Sequence, residues 1–163
     1  MSSEKLKQRV AFIAGIMKIR VAQLPDAKEI AQQNIAMAKE SEDVTIHYDI
    51  ALAGVNSLFA DKAKGFYLVA EERGRLIGQL MITFEWSDWR NQTIWWVQSV
   101  YVKKDWRNKG VFAKLLSTTQ QLARTHNVAF LRLYVHQHNQ SAVQVYEKKG
   151  WILEPYRIYQ HSI

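Results

Sequence analysis

Arg107, Asn108, Lys109 and Gly110 form a short basic run with a single glycine. Just upstream, residues 94–102 are mostly β-branched and aromatic with no Gly or Pro, which reads as a buried strand. Just downstream, Val111, Phe112, Leu115, Leu116, Thr119, Leu122 and Ala123 are mostly apolar at helical spacing, which reads as an amphipathic helix. A strand, a tight basic loop and a helix start together make an anion site. The first-turn N–H groups of a helix have no intrahelical partners, and the helix dipole favours negative charge there. Gly110 lets the backbone approach an anion closely. From residue 103 to 114 there are five basic side chains and one acidic one, so the segment reads as a pyrophosphate grip. The pattern alone leaves open a plain strand–helix connection that binds nothing. The dinucleotide fingerprint with three spaced glycines and the Gly-Lys-Ser/Thr phosphate loop are both absent.

Gln98-Ser99-Val100-Tyr101-Val102, followed by Arg107-Asn108-Lys109-Gly110-Val111-Phe112, resembles the acetyl-CoA motif of the GCN5-related N-acetyltransferase (GNAT) family. That loop reads Arg/Gln-x-x-Gly-x-Gly/Ala; Arg107 and Gly110 match it, and Phe112 stands where the family has a small residue. A second run, Asn139-x-x-Ala142-x-x-x-Tyr146-x-x-x-Gly150-Trp151, resembles the family's closing motif. The resemblance covers about residues 18–160 and implies transfer of an acetyl group from acetyl-CoA to an amine. It implies two parallel strands that splay apart, here 94–102 and 129–135, with the pantetheine arm between them. Backbone groups of Val100 and Val102, on either side of Tyr101, would then hold the pantetheine. N–H groups from Arg107 through Asn108, Lys109, Gly110, Val111 and Phe112 to Ala113 would hold the pyrophosphate, as in a phosphate nest, and Arg107 would add charge-assisted bonds.

By position in the motif, Asn139 would bond the pantetheine arm. An Asn before a helix also suits an N-cap, a duty that Ser141 could take instead. Tyr146 is the general-acid candidate: the departing CoA thiolate has a pKa near 8.5, and a phenol near 10 can protonate it at close range. The plain alternative is a core tyrosine on an amphipathic helix. The base is harder to place. A lysine-like amine must lose a proton at a cost of roughly 4 kcal/mol at neutral pH. Relatives that acetylate polyamines carry Glu at the position of Gln98, and Gln cannot act as a base. Glu85, acting through a water, is the leading substitute, with a surface carboxylate as its plain alternative; Asp88, His136 and His138 rank behind it.

Phe84-Glu85-Trp86-Ser87-Asp88-Trp89-Arg90-Asn91 is unusually aromatic. With Trp95 and Trp96 it reads as a substrate wall, where carboxylates among rings suit an amine or other cation. It also resembles the hairpin of the polyamine and thialysine acetyltransferases. A packing or dimer-contact loop is the competing reading. Glu85, Trp86, Trp89, Trp96 and Gln98 are therefore the expected substrate contacts. The acceptor is read as a small-molecule primary amine, polyamine- or amino-acid-like, attacked directly in a ternary complex. A non-catalytic acyl-CoA-binding regulatory module is the alternative.

The positioning elements follow in order. Lys18–Ala22 reads as a strand, and Pro25-Asp26 opens a helix to about Glu40. A second helix spans about Ile50–Asp61. Phe66–Glu71 and Leu76–Glu85 form a hairpin turned at Arg73-Gly74. After the central strand and helix come a strand at Ala129–Val135 and a helix at Ser141–Lys149, ended by Gly150. Closing strands are expected at Trp151–Leu153 and Arg157–Gln160. The order β-α-α-β-β-β-α-β-α-β-β predicts a mixed α/β (α+β) sheet with helices on both faces, the GNAT-like acyl-CoA N-acyltransferase fold.

The 163 residues suffice for one domain, 18–163, preceded by an extension at 1–17. Lys5, Lys7 and Arg9 before a short apolar run faintly echo a signal peptide, but no small-residue cleavage site follows and Lys18 interrupts. The extension reads instead as a helix or strand outside the core. With no cysteines, disulfides, thiolate metal sites and a cysteine nucleophile are excluded. The histidines lack ligand-like spacing with carboxylates, so no metal is expected. A net charge of +7 suits CoA and also nucleic acid, but neither an aromatic RNA-binding strand motif nor a basic recognition helix is present. No apolar run reaches the roughly 20 residues of a membrane span. A cytoplasmic homodimer is the expectation.

Overall fold

A computed structural model describes residues 16–163, so the extension expected at 1–17 falls almost wholly outside the described residues. One mixed sheet runs through the molecule in the order β1-β2-β3-β4-β5. Its strands are β1 (Lys18–Val21), β2 (Gly65–Glu72), β3 (Arg75–Ser87), β4 (Gln92–Val102) and β5 (Leu131–Leu133). The helices are α1 (Ala27–Glu42), α2 (Tyr48–Ala60), α3 (Val111–Thr125) and α4 (Gln140–Lys148). Neighbouring strands are antiparallel except β4 and β5, which are parallel. The β2–β3 turn is tight because Arg73 and Gly74 both adopt positive φ, at 51° and 74°, the geometry that matches the twist of a hairpin.

Two apolar clusters sandwich the sheet. On one face Leu68, Ala70, Ile77, Leu80, Ile82, Trp95 and Val97 pack against Val111, Leu115 and Ala123 of α3. On the other, Tyr67, Val69 and Leu76 meet Ala27, Ile30 and Ala31 of α1 and Val55 and Leu58 of α2. Side chains alternate across a strand, so Trp96 and Gln98 lie on the α1 side, opposite Trp95 and Val97.

Strand β4 carries a bulge. Gln79 pairs with Tyr101 and Met81 with Gln98, which leaves Ser99 and Val100 opposite the single residue Leu80. Ser99 takes a left-handed φ of 49°, which is uncommon for a residue with a side chain.

Two expectations are corrected. The strand expected at Ala129–Val135 shrinks to Leu131–Leu133, because β5 pairs with β4 only at Trp95–Val97 before the two part. The closing strands expected at Trp151–Leu153 and Arg157–Gln160 do not form. Ile152, Leu153, Tyr156 and Tyr159 are 88%, 91%, 74% and 85% exposed. Their residue types favour a strand only where a neighbouring strand offers a ladder, and among the described residues none lies alongside.

Candidate functional site

Past Trp95–Val97, residues 98–102 have no strand beside them on the β5 side. The β4–β5 ladder ends there, and the β4 backbone left unpaired runs on into the basic loop that leads to α3. Gly110 is the N-cap of α3, with φ 79° and nothing within 4 Å of where a Cβ would stand. Asn108 also has positive φ, at 61°. Among the described residues no side chain caps the helix, and the Gly110 carbonyl is first met by Lys114 N–H, at 3.0 Å. The opening N–H groups of Val111, Phe112 and Ala113 therefore stand at an open helix start with its positive dipole end. This is the geometry of an anion site.

The basic side chains of the loop are less free than their number suggests. Glu29 and Glu40 of α1 supply counter-charges: Lys103 pairs with Glu29, and Arg107 Nη2 donates to Glu40 Oε2 at 2.6 Å. Lys104 Nζ lies 3.7 Å from Glu40, whose Oε1 also accepts from the Tyr101 hydroxyl at 3.1 Å. Burial opposes ionisation of Glu40, but the bonds from Arg107 and Tyr101 and the charges of Arg107 and Lys104 outweigh it. Its carboxyl is held below the ordinary range. Arg107 Nε donates to the Val102 carbonyl at 2.9 Å, so that oxygen is occupied, while three further guanidinium N–H groups remain to meet an anion. Lys109 lies over the Trp106 ring at 5.2 Å.

Tyr146, on α4, packs edge-on against Phe112 at 5.7 Å between ring centroids and against Trp151 at the same distance. Phe112, the departure from the family's small residue, thus joins α4 to the first turn of α3. Burial raises the Tyr146 pKa, so the phenol keeps its proton at neutral pH. Asn139 is the N-cap of α4: its Oδ1 accepts from Ala142 N–H at 3.2 Å and from Ser141 Oγ at 3.1 Å. Its amide donors take no part in that cap.

At the end of the sheet where the β3–β4 hairpin turns, a cleft of about 600 Å³ opens. Glu85 lies there, accepting from Trp96 Nε1 at 2.6 Å and Arg132 Nη1 at 3.3 Å. Trp96 stacks on Tyr134, with centroids 4.4 Å apart. Gln98 Nε2 donates to Thr83 Oγ1 at 2.6 Å, and its Oε1 accepts no hydrogen bond among the described residues. Trp86 and Trp89 are on the cleft wall, 65% and 86% exposed.

Phe130, Arg132, Glu154 and Tyr156 carry no signal in the sequence, and Ser99 stands out only as a member of the first motif. Behind the bulge, Gln79 Nε2 donates to Asn34 Oδ1 at 2.7 Å, and Asn34 Nδ2 to the Tyr67 hydroxyl at 3.1 Å. This buried polar chain braces the strand from the α1 side.

The sequence profile of the acetyltransferase (GNAT) family matches residues 25–151. The chain is 30% identical over 84 residues to "Uncharacterized N-acetyltransferase YhfO" of Bacillus subtilis (strain 168), a match that spans 52% of this chain and 56% of that protein. It is 36% identical to a "possible acetyltransferase" from Clostridium difficile 630, covering 91% of this chain and 98% of that one, with a TM-score of 0.85. A "predicted acetyltransferase with acetyl-CoA" from Clostridium acetobutylicum shares the fold at 16% identity, with a TM-score of 0.75 over 90% of this chain and 96% of that one. With the first motif on β4 and the open start of α3, and the second on α4, the chain belongs to the acetyltransferase (GNAT) family.

Proposed function

We propose that this protein is an N-acetyltransferase that moves the acetyl group of acetyl-CoA to a primary amine of a small molecule. The amine attacks the thioester directly in a ternary complex. The observation that carries this reading is the β4 backbone left unpaired beyond Val97, which leads through the basic loop to an uncapped helix start. Acetyl-CoA, seen with the C. acetobutylicum protein, suits both parts. Its pyrophosphate meets the amides from Arg107 to Ala113, and its pantetheine arm runs along the unpaired backbone around Val100, with Asn139 amide donors beside it. The thioester then lies near the Ser99 bulge. Gln98 offers its unpartnered Oε1 to the attacking amine. Tyr146 protonates the departing thiolate; of the two protons the ammonium nitrogen gives up, one passes to water before attack and the other restores the Tyr146 phenol through water.

Glu85 fits the acceptor's binding better than removal of its proton. Its bond to Trp96 fixes it three residues before Ser99, roughly 10 Å at the strand's rise, a span that a proton crosses only through several waters. Incubation of the protein with acetyl-CoA and a panel of amines should release free thiol and acetylated amine, read by mass spectrometry. Binding of CoA without release from any amine would leave only an acyl-CoA-binding module.

Glu40 competes with the pyrophosphate for Arg107. Glu40→Gln removes the charge and keeps one oxygen to accept from Arg107, while its amide N–H can donate to the Tyr101 hydroxyl, so the KM for acetyl-CoA should fall about threefold at low salt, the scale of a half-exposed ion pair. A raised KM would mean that Glu40 serves chiefly to hold Arg107 in place. The reading includes a cytoplasmic homodimer, supported by the exposed apolar residues of the last segment. A sedimentation mass of one chain would remove the dimer.

A further inference from the structure

We infer that the acceptor carries a carboxylate about 10 Å or more from the amine that is acetylated, and that Arg90 with Arg132 reads it. The inference rests on the acetyl transfer proposed above and narrows its acceptor.

Two guanidiniums are gathered on one ring in the acceptor cleft. Arg90 lies 5.1 Å and Arg132 4.8 Å from the Phe130 ring centroid. The two guanidinium carbons are therefore within about 10 Å of each other, where like charges repel unless anions offset them. Arg132 has its anions, Glu85 at 3.3 Å and Glu154 at 3.8 Å. Arg90 has neither a carboxylate within 4 Å nor a side-chain hydrogen bond among the described residues, yet it lines the same cleft. Asp88, two residues away, is turned back onto its own loop, where it accepts from Trp89 N–H at 2.9 Å. Arg90 thus presents an unused planar fork of donors, the geometry that takes a carboxylate through two parallel bonds.

The charge balance chooses among anions. The cleft holds three carboxylates, from Glu85, Asp88 and Glu154, against two guanidiniums. That net charge of −1 opposes any anion, a doubly charged phosphate about twice as strongly as a carboxylate, and it is the unpaired donor fork of Arg90 that takes the single carboxylate. The register sets the length. Arg132 pairs with Trp96, three residues before the Ser99 bulge, and the Phe130 ring that both guanidiniums meet lies further back still, so anion and amine are separated by roughly 10 Å or more. An α-amino acid acetylated on its α-amine is too short. An ω-amino acid or the N-terminus of a short peptide spans the distance.

The test compares octylamine, 1,8-diaminooctane and 8-aminooctanoate, matched in length and differing only at the far end. The kcat/KM for 8-aminooctanoate should exceed that for octylamine by tenfold or more. Arg90→Gln should bring the ratio of the two close to one. Calorimetric binding of N-acetyl-8-aminooctanoate to the CoA complex should weaken in the same variant. Turnover of octylamine or the diamine at least as fast as of the amino acid overturns the inference and leaves acetyl transfer standing. No thiol release from any of the three, with Arg90-dependent binding retained, supports the anion site and overturns the reaction. Binding that ignores Arg90→Gln overturns the inference whatever the turnover.

Discussion

Tyr146→Phe should lower kcat by about a hundredfold to ten-thousandfold, the range that a positioned general acid contributes, with little change in the KM for acetyl-CoA. Phe keeps the ring that packs on Phe112 and Trp151, so α4 stays docked and only the hydroxyl is lost. Burial raises the phenol's pKa above its usual value near 10, so the acid form persists across the neutral and mildly alkaline range. The sign matters here. A raised pKa moves loss of the proton to higher pH, so the alkaline fall in kcat due to Tyr146 lies above pH 10 or so. It also makes the phenol a weaker acid than the CoA thiol, so the proton moves as the C–S bond breaks rather than before. A kcat that Tyr146→Phe leaves unchanged would take the residue out of this role.

Gly65→Ala should destabilise the fold by more than about 3 kcal/mol, lowering Tm by roughly 10 °C in a chain of this size. Gly65 has φ 145°, and a Cβ there would stand 1.9 Å from the Ile82 carbonyl oxygen and 2.9 Å from its carbon. Those are backbone atoms of the neighbouring strand, so no side chain can turn aside. The β2–β3 ladder must open at its Gly65–Thr83 end. Thr83 also pairs with Trp96 and holds Gln98, so the acceptor side of β4 would loosen with it. Differential scanning calorimetry reads the first effect and the KM of the acceptor the second. A Tm within 2 °C or so of the parent would show that the ladder yields more easily than packed strands ordinarily do.

Most of the frame was legible in the sequence because local signals agreed with one another. Arg73-Gly74 could only turn a hairpin, Pro25 opened a helix region, and Gly110 and Gly150 stand at helix boundaries. The two motifs lay on the strand, loop and helices expected for them. What escaped depends on partners far along the chain. The five basic side chains of 103–114 looked unopposed because Glu29 and Glu40 reach them only once α1 is folded over the sheet. Arg90, Phe130 and Arg132 are about 40 residues apart at the extremes, and only the meeting of the β3–β4 hairpin tip with β5 makes them one site. At Trp151–Gln160 propensity pointed to strands, yet propensity describes what a residue tolerates and supplies no neighbour to pair with.

The extra residue at Ser99 resets the alternation of β4. Ahead of it, even-numbered side chains such as Gln98 face α1; beyond it the odd-numbered Tyr101 does, and reaches Glu40. One strand thereby presents an acceptor contact and a brace for the phosphate loop to the same side, at a spacing that unbroken alternation forbids. Deletion of Ser99 would put the two halves of β4 back in phase and rotate either Tyr101 or Gln98 onto the opposite surface. The length of this strand, counted in single residues, is therefore as much a part of the site as any side chain on it.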